Sequence, residues 1–356
     1  MAYNIKGKPW LIPGARNVEK CTTSAEVMEK AGLGFQVDKC ELVAKMPFNL
    51  DKMDDILDDI NSGACFTHAS DVYRPCPNAF ATYRTDTNIP LGIVKSRYEI
   101  VQNKDAFAFF DNAIGENKAI WQTAGFFGDG ERIFVSAKLP NNIKVNGDTI
   151  ENYLVFTNSH DGSSGVNILF IPIRIICQNT LNAAIKTSDC FIRFRHTKSV
   201  HNNITMADEL LGIAAEQTKD TEILFNQLAE VKIDDKQVKK YLAKVFLDDN
   251  KFKAIESYDK IAGFDKIAAL DYRTMEVTGV STRAANMIHK AFEYYQDGFG
   301  QKDIAGTAYG AYNAVTGYYS NIDNSVGQDR MKSMLYGRTM NVTTNALAEA
   351  HNLKFI

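Results

Sequence analysis

Three polar side chains that could take part in chemistry stand directly after an apolar run. The stretch at 154–165 reads LVFTNSHDGSSG and contains Asn158, His160 and Asp161. A histidine oriented by a carboxylate acts as a general base when a nucleophile lies within hydrogen-bonding distance. Sequence neighbours on a strand point to opposite faces, however, and Asp161-Gly162 is a common turn sequence. We therefore favour a polar turn between two strands, in which Asn158 and Ser159 bond to nearby backbone.

A wider set of polar residues supports an alternative function. The set consists of Asn158, His160, Asp161, Gln178, Asn179 and His196. All six fall near predicted strand ends, where they could converge in one pocket. A convergent polar pocket that contains histidines is typical of an enzyme or a small-ligand-binding protein.

Two further chemical hypotheses have weaker support in the sequence. Cys177 follows an apolar strand and could be a nucleophile, but cysteine is more often buried as a small apolar residue. A metal could be bound by His160, Asp161, His196 and His201. The spacing of His196 and His201 suits no ligand pair on a helix or strand. We predict no catalytic residue, no metal and no cofactor.

Positive charge collects in one short block of the chain. Residues 170–202 hold Arg174, Lys186, Arg193, Arg195 and Lys198 against Asp189 alone, although the whole chain has a formal net charge of -3. On a strand, Arg193 and Arg195 project to the same face as Phe191. Arginines interleaved with an aromatic residue suit a phosphate backbone with bases stacked beside it. The opposing interpretation is that these arginines pair with acidic residues elsewhere in the chain.

The sequence thus predicts a set of contacts to single-stranded nucleic acid. Phosphate contacts are assigned to Arg174, Arg193, Arg195 and Lys198, and base stacking to Phe191. Arg84, Lys95 and Arg97 extend the same track.

A strand-rich region must position these residues. Asp129-Gly130 and Asn146-Gly147 each stand between β-prone runs and predict hairpins, because such turns need positive φ. The next reversal falls at His160-Asp161-Gly162. Residues 166–176 are almost continuously apolar, which indicates a strand buried on both faces. The segment 191–195 alternates apolar and basic residues and completes the sheet region.

From residue 205 onwards, apolar residues recur at helical spacing. Asp234 or Asp235 and Ser281 are predicted to cap helices. The tyrosines at 309, 312, 318 and 319 indicate helix packing or a subunit interface. We predict an α+β protein with an antiparallel-rich sheet domain over 1–202. A helical region over 203–356 packs on that domain or mediates oligomerisation.

Composition limits the classes of protein to be considered. The chain of 356 residues is 45% hydrophobic and 23% charged, as soluble globular proteins are. No apolar run approaches the length of a membrane span, and Met1–Lys6 lacks the apolar core of a signal peptide. The six cysteines form no Cys-x-x-Cys pair, so free thiols in a reducing cytoplasm are expected.

Six short motifs also stand out in the first two thirds of the chain. They are Ala81–Arg84, Leu91–Asn103, Thr123–Gly125, Asn158–Gly162, Arg174–Leu181 and Arg195–Thr197. In this order, over about residues 25–215, they resemble the uncharacterised phage/plasmid-like protein family. The resemblance implies a protein of phages, prophages or plasmids and no settled activity. Single-strand annealing proteins of such elements are similar in outline only, since no motif matches residue by residue.

The leading hypothesis is a cytoplasmic, self-associating protein that binds single-stranded nucleic acid, in annealing, recombination or replication. The first alternative is the enzyme or small-ligand-binding protein described above. The second is a phage protein that acts by binding a host protein, which the overall acidity permits.

Overall fold

The computed structural model describes residues 5–47, 65–68, 71–107, 111, 119–181, 191–198, 207–262 and 272–353. Within these ranges, strands dominate the N-terminal part and helices the C-terminal part, which confirms the predicted α+β class. The strands in chain order are β1 (Arg16–Asn17), β2 (Val37–Pro47), β3 (Cys65–His68), β4 (Asp71–Arg84), β5 (Pro90–Val94), β6 (Ile120–Phe127), β7 (Arg132–Lys138), β8 (Ile143–Val145), β9 (Asp148–Ser159), β10 (Val166–Arg174) and β11 (Phe191–Phe194).

The helices in chain order are α1 (Ser24–Ala31), α2 (Ala207–Glu230), α3 (Asp235–Phe246), α4 (Asp249–Ala262), α5 (Tyr272–Thr278), α6 (Thr282–Asp297), α7 (Ala308–Gly317), α8 (Gly327–Tyr336) and α9 (Arg338–Asn352). A π-helical turn, Tyr318–Ile322, continues α7. No helix in the described ranges is both long and apolar enough to cross a lipid bilayer.

The described strands form two antiparallel sheets. The main sheet has the order β1-β6-β7-β9-β10-β11, with β8 paired to β9. The second sheet has the order β2-β4-β3, with β5 paired to β4. In the main sheet β11 therefore stands at one end of the strand order, where it pairs with β10.

The two Gly-containing hairpins form where the sequence predicts them. Asn146 and Gly147 have φ of 46° and 85° and join Val145 to Asp148 as a two-residue turn. The loop between β6 and β7 is longer than predicted. Positive φ falls there on Gly128 and Gly130, and Phe127 pairs with Arg132. The extra loop residues replace the tight Asp129-Gly130 turn.

β10 is buried along all nine residues, as its apolar sequence predicts. Its alternate side chains enter two different cores. Val166 and Ile168 join the core that also contains Trp121 and residues of the second sheet. Leu169 and Ile171 join the core on the opposite face. The strand ends at Arg174, two residues earlier than predicted.

Helices α1, α3 and α6 begin at the residues that the capping rules select. Thr23 accepts a hydrogen bond from Glu26 N–H at the start of α1. Asp234 and Gln237 form a reciprocal capping box at the start of α3. Ser281 caps α6 through Ala284 N–H. These local bonds favour the start of each of these three helices independently of tertiary packing.

The tyrosine-rich segment packs inside the chain. Tyr309 and Tyr312 on α7 are fully buried, and Tyr318 and Tyr319 are nearly so. Their core consists of helical residues together with Ile143, Val145, Ile150 and Leu181 from the sheet region. Of the two predicted roles for these tyrosines, helix packing is therefore confirmed.

Candidate functional site

His160 lies at the end of β9 and is completely buried. Its Nε2 is 2.9 Å from Asn103 Oδ1. Because Asn103 Nδ2 donates to Leu33 O, the Asn103 oxygen is left to accept, and His160 carries its proton on Nε2. Burial lowers the pKa of His160 to about 3, and the nearby His196 contributes. The ring is therefore a neutral structural donor.

Asp161 organises the turn that follows His160. Its carboxylate accepts from Ser159 Oγ at 2.6 Å, from Ser163 N–H at 2.9 Å and from Ser163 Oγ, and Arg132 Nε lies 3.4 Å away. Burial alone would raise the pKa of Asp161, but the serine hydrogen bonds and the Arg132 charge lower it. The carboxylate bonds within its own turn and to Arg132, which confirms a polar turn after β9. Asn158 and Ser159, which were assigned to this turn, belong to the strand itself.

Asn158 and His196 complete a small polar cluster beside this turn. Asn158 Nδ2 donates to Val101 O at 2.9 Å, and His196 Nδ1 lies 2.9 Å from Glu99 O. The His196 ring stacks on Tyr98 at 4.4 Å between centroids, and Tyr98 OH donates to Ser159 O at 2.6 Å. Burial lowers the pKa of His196 and raises that of Tyr98. The cluster holds the 95–103 segment against the end of the main sheet.

Gln178 and Asn179 lie at the opposite end of β10 from this cluster. Asn179 is fully buried and accepts from Tyr294 OH at 3.1 Å and from Asn321 Nδ2 at 2.9 Å. Gln178 occupies a turn with φ of 54° and donates to Ile175 O. Since β10 spans about 30 Å at 3.3 Å per residue, the six polar residues do not converge. The predicted common pocket is wrong.

Arg174 is also wrongly assigned as a phosphate contact. It is 1% exposed and forms an ion pair with Asp148. Its Nη2 donates to Gly300 O at 2.8 Å, and Nη1 lies 3.8 Å from Cys177 Sγ. Burial raises the pKa of the Cys177 thiol. Arg174 and Cys177 thus belong to the packing of the sheet against the helices.

Arg84 is committed to contacts within the chain as well. Its guanidinium pairs with Asp86 at 2.7 Å, donates to Asp129 O at 2.9 Å and lies 4.1 Å from the Phe35 ring centroid. A guanidinium group with these three contacts has little freedom to bind a phosphate. We therefore remove Arg84 from the predicted track.

The remaining cations of the predicted track are exposed. They are Lys95, Arg97, Arg193, Arg195 and Lys198, and we call them the cationic ridge. Among the described residues, no carboxylate lies within ion-pair distance of them. Phe194, between the two arginines, packs partly against the core, as the predicted alternation requires. The side chain of Phe191 lies outside the described part of the chain, as do Lys186 and His201.

Two segments about 100 positions apart build the ridge. Glu99 N–H donates to His196 O at 3.2 Å, next to the contact of the His196 ring with the backbone carbonyl of Glu99. This pairing places the Lys95–Arg97 segment beside the residues that follow β11. The cations of both segments therefore lie in one region of the surface.

The turn that carries Lys95 and Arg97 is held in place by neighbouring elements. Lys39 Nζ on β2 donates to Ser96 O and Tyr98 O, both at 3.1 Å. Ser96 N–H and Oγ both bond to Asn78 Oδ1. A backbone fixed by such bonds loses less entropy when it binds a ligand. The supports from Lys39 and Asn78 were not predicted, because they arise from tertiary contacts across the second sheet.

No three His, Cys, Asp or Glu side chains in the described ranges are grouped so as to hold a metal ion. His160 and His196 contact neutral partners, Asn103 and a backbone carbonyl. The candidate site is therefore a positively charged surface that lies beside a buried cluster of neutral side chains. Such a surface has the chemistry to bind a polyanion.

Residues 90–350 match the model of a domain of unknown function, DUF932. Because this match spans most of the chain, the protein belongs to that family. Membership in an uncharacterised family is thus confirmed. The match extends through the helical part, which the sequence motifs had left uncovered. No curated protein and no solved structure matches the chain.

Proposed function

We propose that this protein binds single-stranded nucleic acid through the cationic ridge. The observation that carries the proposal is the exposure of Arg193 and Arg195 without a described carboxylate partner. Internal neutralisation of these two guanidinium groups was the main competing interpretation. Exposed arginines with no carboxylate partner among the described residues can bind phosphate without first breaking an ion pair within those residues.

The ridge combines charge from two segments with a fixed backbone. Phosphate contacts supply most of the sequence-independent affinity of proteins for nucleic acid. The overall negative charge of the chain disfavours binding elsewhere on its surface, so binding is confined to this region. This pattern favours a strand held along one track.

The enzyme alternative loses its geometric basis, since its six residues fall into two separate places. Binding of a host protein has no specific observation in its favour. We further propose self-association, a cytoplasmic location and a role in annealing, recombination or replication in a phage or plasmid. The role, the phage or plasmid setting and self-association rest on the sequence resemblance and on the likeness in outline to annealing proteins. The cytoplasmic location rests on the absence of Cys-x-x-Cys pairs, and none of these parts follows from the ridge itself.

The decisive experiment measures binding of a labelled oligothymidylate by fluorescence anisotropy at 50 and 200 mM salt. Arg193→Gln/Arg195→Gln should bind at least tenfold more weakly at 50 mM. Its slope of log affinity against log salt should become shallower by about 1.4, because each lost phosphate contact to a single strand accounts for about 0.7.

Lys219→Gln/Lys253→Gln is the matched control, since it removes two exposed cations from α2 and α4. It should bind as the unchanged protein does. An equal loss in this control would assign binding to overall charge. Absence of binding by the unchanged, folded protein at 50 mM would refute the proposal. A parallel oligouridylate series determines whether DNA or RNA is preferred.

A further inference from the structure

A pocket of about 220 Å³ lies where α3, α4 and the end of α9 meet, in the helical part of the molecule. Its apolar walls are Tyr241, Phe252 and Leu353. Tyr241 is buried, and its hydroxyl is already used, since it donates to Ala346 O at 2.7 Å. The pocket therefore offers aromatic surface to a ligand about the size of a single ring with a short chain.

The two lysines at the rim are already neutralised. Lys240 Nζ pairs with Glu256 at 2.8 Å, and Lys244 Nζ pairs with Asp249 at 3.0 Å. Lys244 also lies 5.1 Å from the Phe252 ring centroid. These ammonium groups have partners and contribute no net positive charge to the pocket.

Glu349, in contrast, is a half-buried carboxylate that lines the pocket and has no partner in the described part of the chain. None of the described groups forms a hydrogen bond or an ion pair with it. Counted together with Glu256 and Asp249, the partners of the two lysines, the pocket and its rim hold three carboxylates against two ammonium groups. The pKa of Lys244 is raised, most by its hydrogen bond to Asp249; burial lowers it, and the charges of Asp249, Glu349 and Glu256 raise it further.

The end of α9 adds to the negative potential. Glu349 and Asn352 stand in the last turn of this 15-residue helix, at the end where backbone carbonyls lack intrahelical donors. The partial negative charge of a helix C-terminus favours a cation. The carboxylate and the helix end therefore act in the same direction.

We propose that this pocket binds a small organic cation, a primary amine with an apolar or aromatic body. Its ammonium group bonds to Glu349 near the end of α9, and its body lies against Tyr241 and Phe252. A cation that is desolvated beside aromatic rings gains electrostatic attraction from their faces. The proposal is independent of the nucleic-acid hypothesis, because it involves none of the ridge residues.

The test is isothermal titration calorimetry of the whole protein with phenethylamine, which is protonated at pH 7. The neutral isostere 2-phenylethanol and the anionic 3-phenylpropionate serve as comparison probes. The amine should bind at least tenfold more tightly than either, since hydrogen bonds to charged groups are the strong ones.

Two substitutions with opposite expected effects test the sign of the pocket charge. Glu349→Gln should weaken amine binding about tenfold, whereas Lys244→Met should strengthen it a few-fold, because it leaves the Asp249 carboxylate at the rim without its ammonium partner. Glu293→Gln, an exposed carboxylate on α6, should change nothing. Circular dichroism confirms that each variant is folded.

Three outcomes would overturn the proposal. The amine fails to bind to the unchanged protein, or 3-phenylpropionate binds as well as the amine does. The third is amine binding that Glu349→Gln leaves unaltered, which would place the ligand elsewhere.

Discussion

The ion pair of Arg174 and Asp148 is the clearest case of a single side chain whose removal should destabilise the fold. Arg174 is 1% exposed, and the Asp148 side chain is 11% exposed. Removing one member of a buried pair leaves the other charge unpaired, at a typical cost of about 3–5 kcal/mol. We expect Arg174→Met to lower the free energy of unfolding by about this amount in urea titrations.

A double variant separates the charge effect from lost packing. Arg174→Met/Asp148→Asn removes both charges and should recover a large part of the stability, because no buried charge is then left alone. If the double variant is as unstable as the single one, the contact of Arg174 with Gly300 O, rather than the pairing, accounts for the loss.

His160 makes the stability depend on pH in a defined direction. Its pKa is about 3 in the folded chain against about 6.5 when unfolded, so only the unfolded state gains a proton as pH falls below 6.5. The stability that the neutral His160 contributes is complete above pH 6.5 and is lost progressively as the pH falls towards 3. The slope is about 1.4 kcal/mol per pH unit.

His160→Gln should therefore flatten the acid side of the stability curve. Between pH 7.5 and 5, the loss of unfolding free energy should be smaller than in the unchanged protein by about 2 kcal/mol. His196 is present in both proteins, so its contribution to the pH dependence of the unfolding free energy cancels in this comparison. His289→Gln, a half-buried histidine on α6, is the control and should keep the full slope. Equal slopes in all three proteins would contradict the assignment.

At the scale of elements, the order of the turn that carries Lys95 and Arg97 should affect the proposed binding of nucleic acid. Tyr98 OH anchors this turn to Ser159 O, and the substitution Tyr98→Phe removes that bond without changing charge. We expect oligonucleotide affinity to fall a few-fold with an unchanged salt slope, because the same phosphates are contacted by a less ordered turn. Arg97→Gln should instead reduce the slope by about 0.7. A reduced slope in Tyr98→Phe would mean that the hydroxyl does more than hold the turn.

The contact between the two sheets near the polar turn depends on a glycine. A Cβ added at Gly92 on β5 would lie 2.5 Å from Asp161 Cα and 2.7 Å from Asp161 O. Gly92→Ala must push the strand and the turn apart, and overpacking of this kind costs about 1–3 kcal/mol. Gly34→Ala meets nothing within 4 Å and should be neutral or slightly stabilising. Thermal unfolding followed by circular dichroism compares the two, and similar melting temperatures would show that the sheets separate easily.

The sequence predicts elements well where the signal is local. Asn146-Gly147 and the helix caps at Asp234 and Ser281 act within four residues and formed as predicted. The exposure of Arg193 on β11 could be predicted because alternation on a half-buried strand assigns faces without knowledge of the partner. Arg195 is exposed just beyond the end of that strand.

Residues whose role depends on distant partners were harder to predict. Lys39 supports the Lys95–Tyr98 turn only because β2 lies beside it. Asn179 meets Tyr294 and Asn321 only after the helices pack on the sheet. For Arg174 a signal was present: a charged residue at the end of a strand buried on both faces needs a paired charge.

At the scale of the whole molecule, each hydrophobic core contains residues from both sides of the predicted boundary at residue 202. The core around Trp121 includes Ala214 and Met340. The core around Trp10 includes Met331 and Leu335 of α8. In the core of the helices, Ile143 and Val145 come from the β8–β9 hairpin. Unfolding one part would therefore expose apolar surface of the other.

These shared cores predict that the chain unfolds in one cooperative step, although the division into 1–202 and 203–356 remains a prediction. Both tryptophans, Trp10 and Trp121, lie in the sheet part, whereas far-UV circular dichroism at 222 nm mainly reports the helices. Urea titrations followed by the two signals should give coincident curves, since neither part keeps a complete core alone. If the two parts are independent domains, the tryptophan and helix signals will instead show separate midpoints. That result would mean that each part folds without the core residues that the other part contributes.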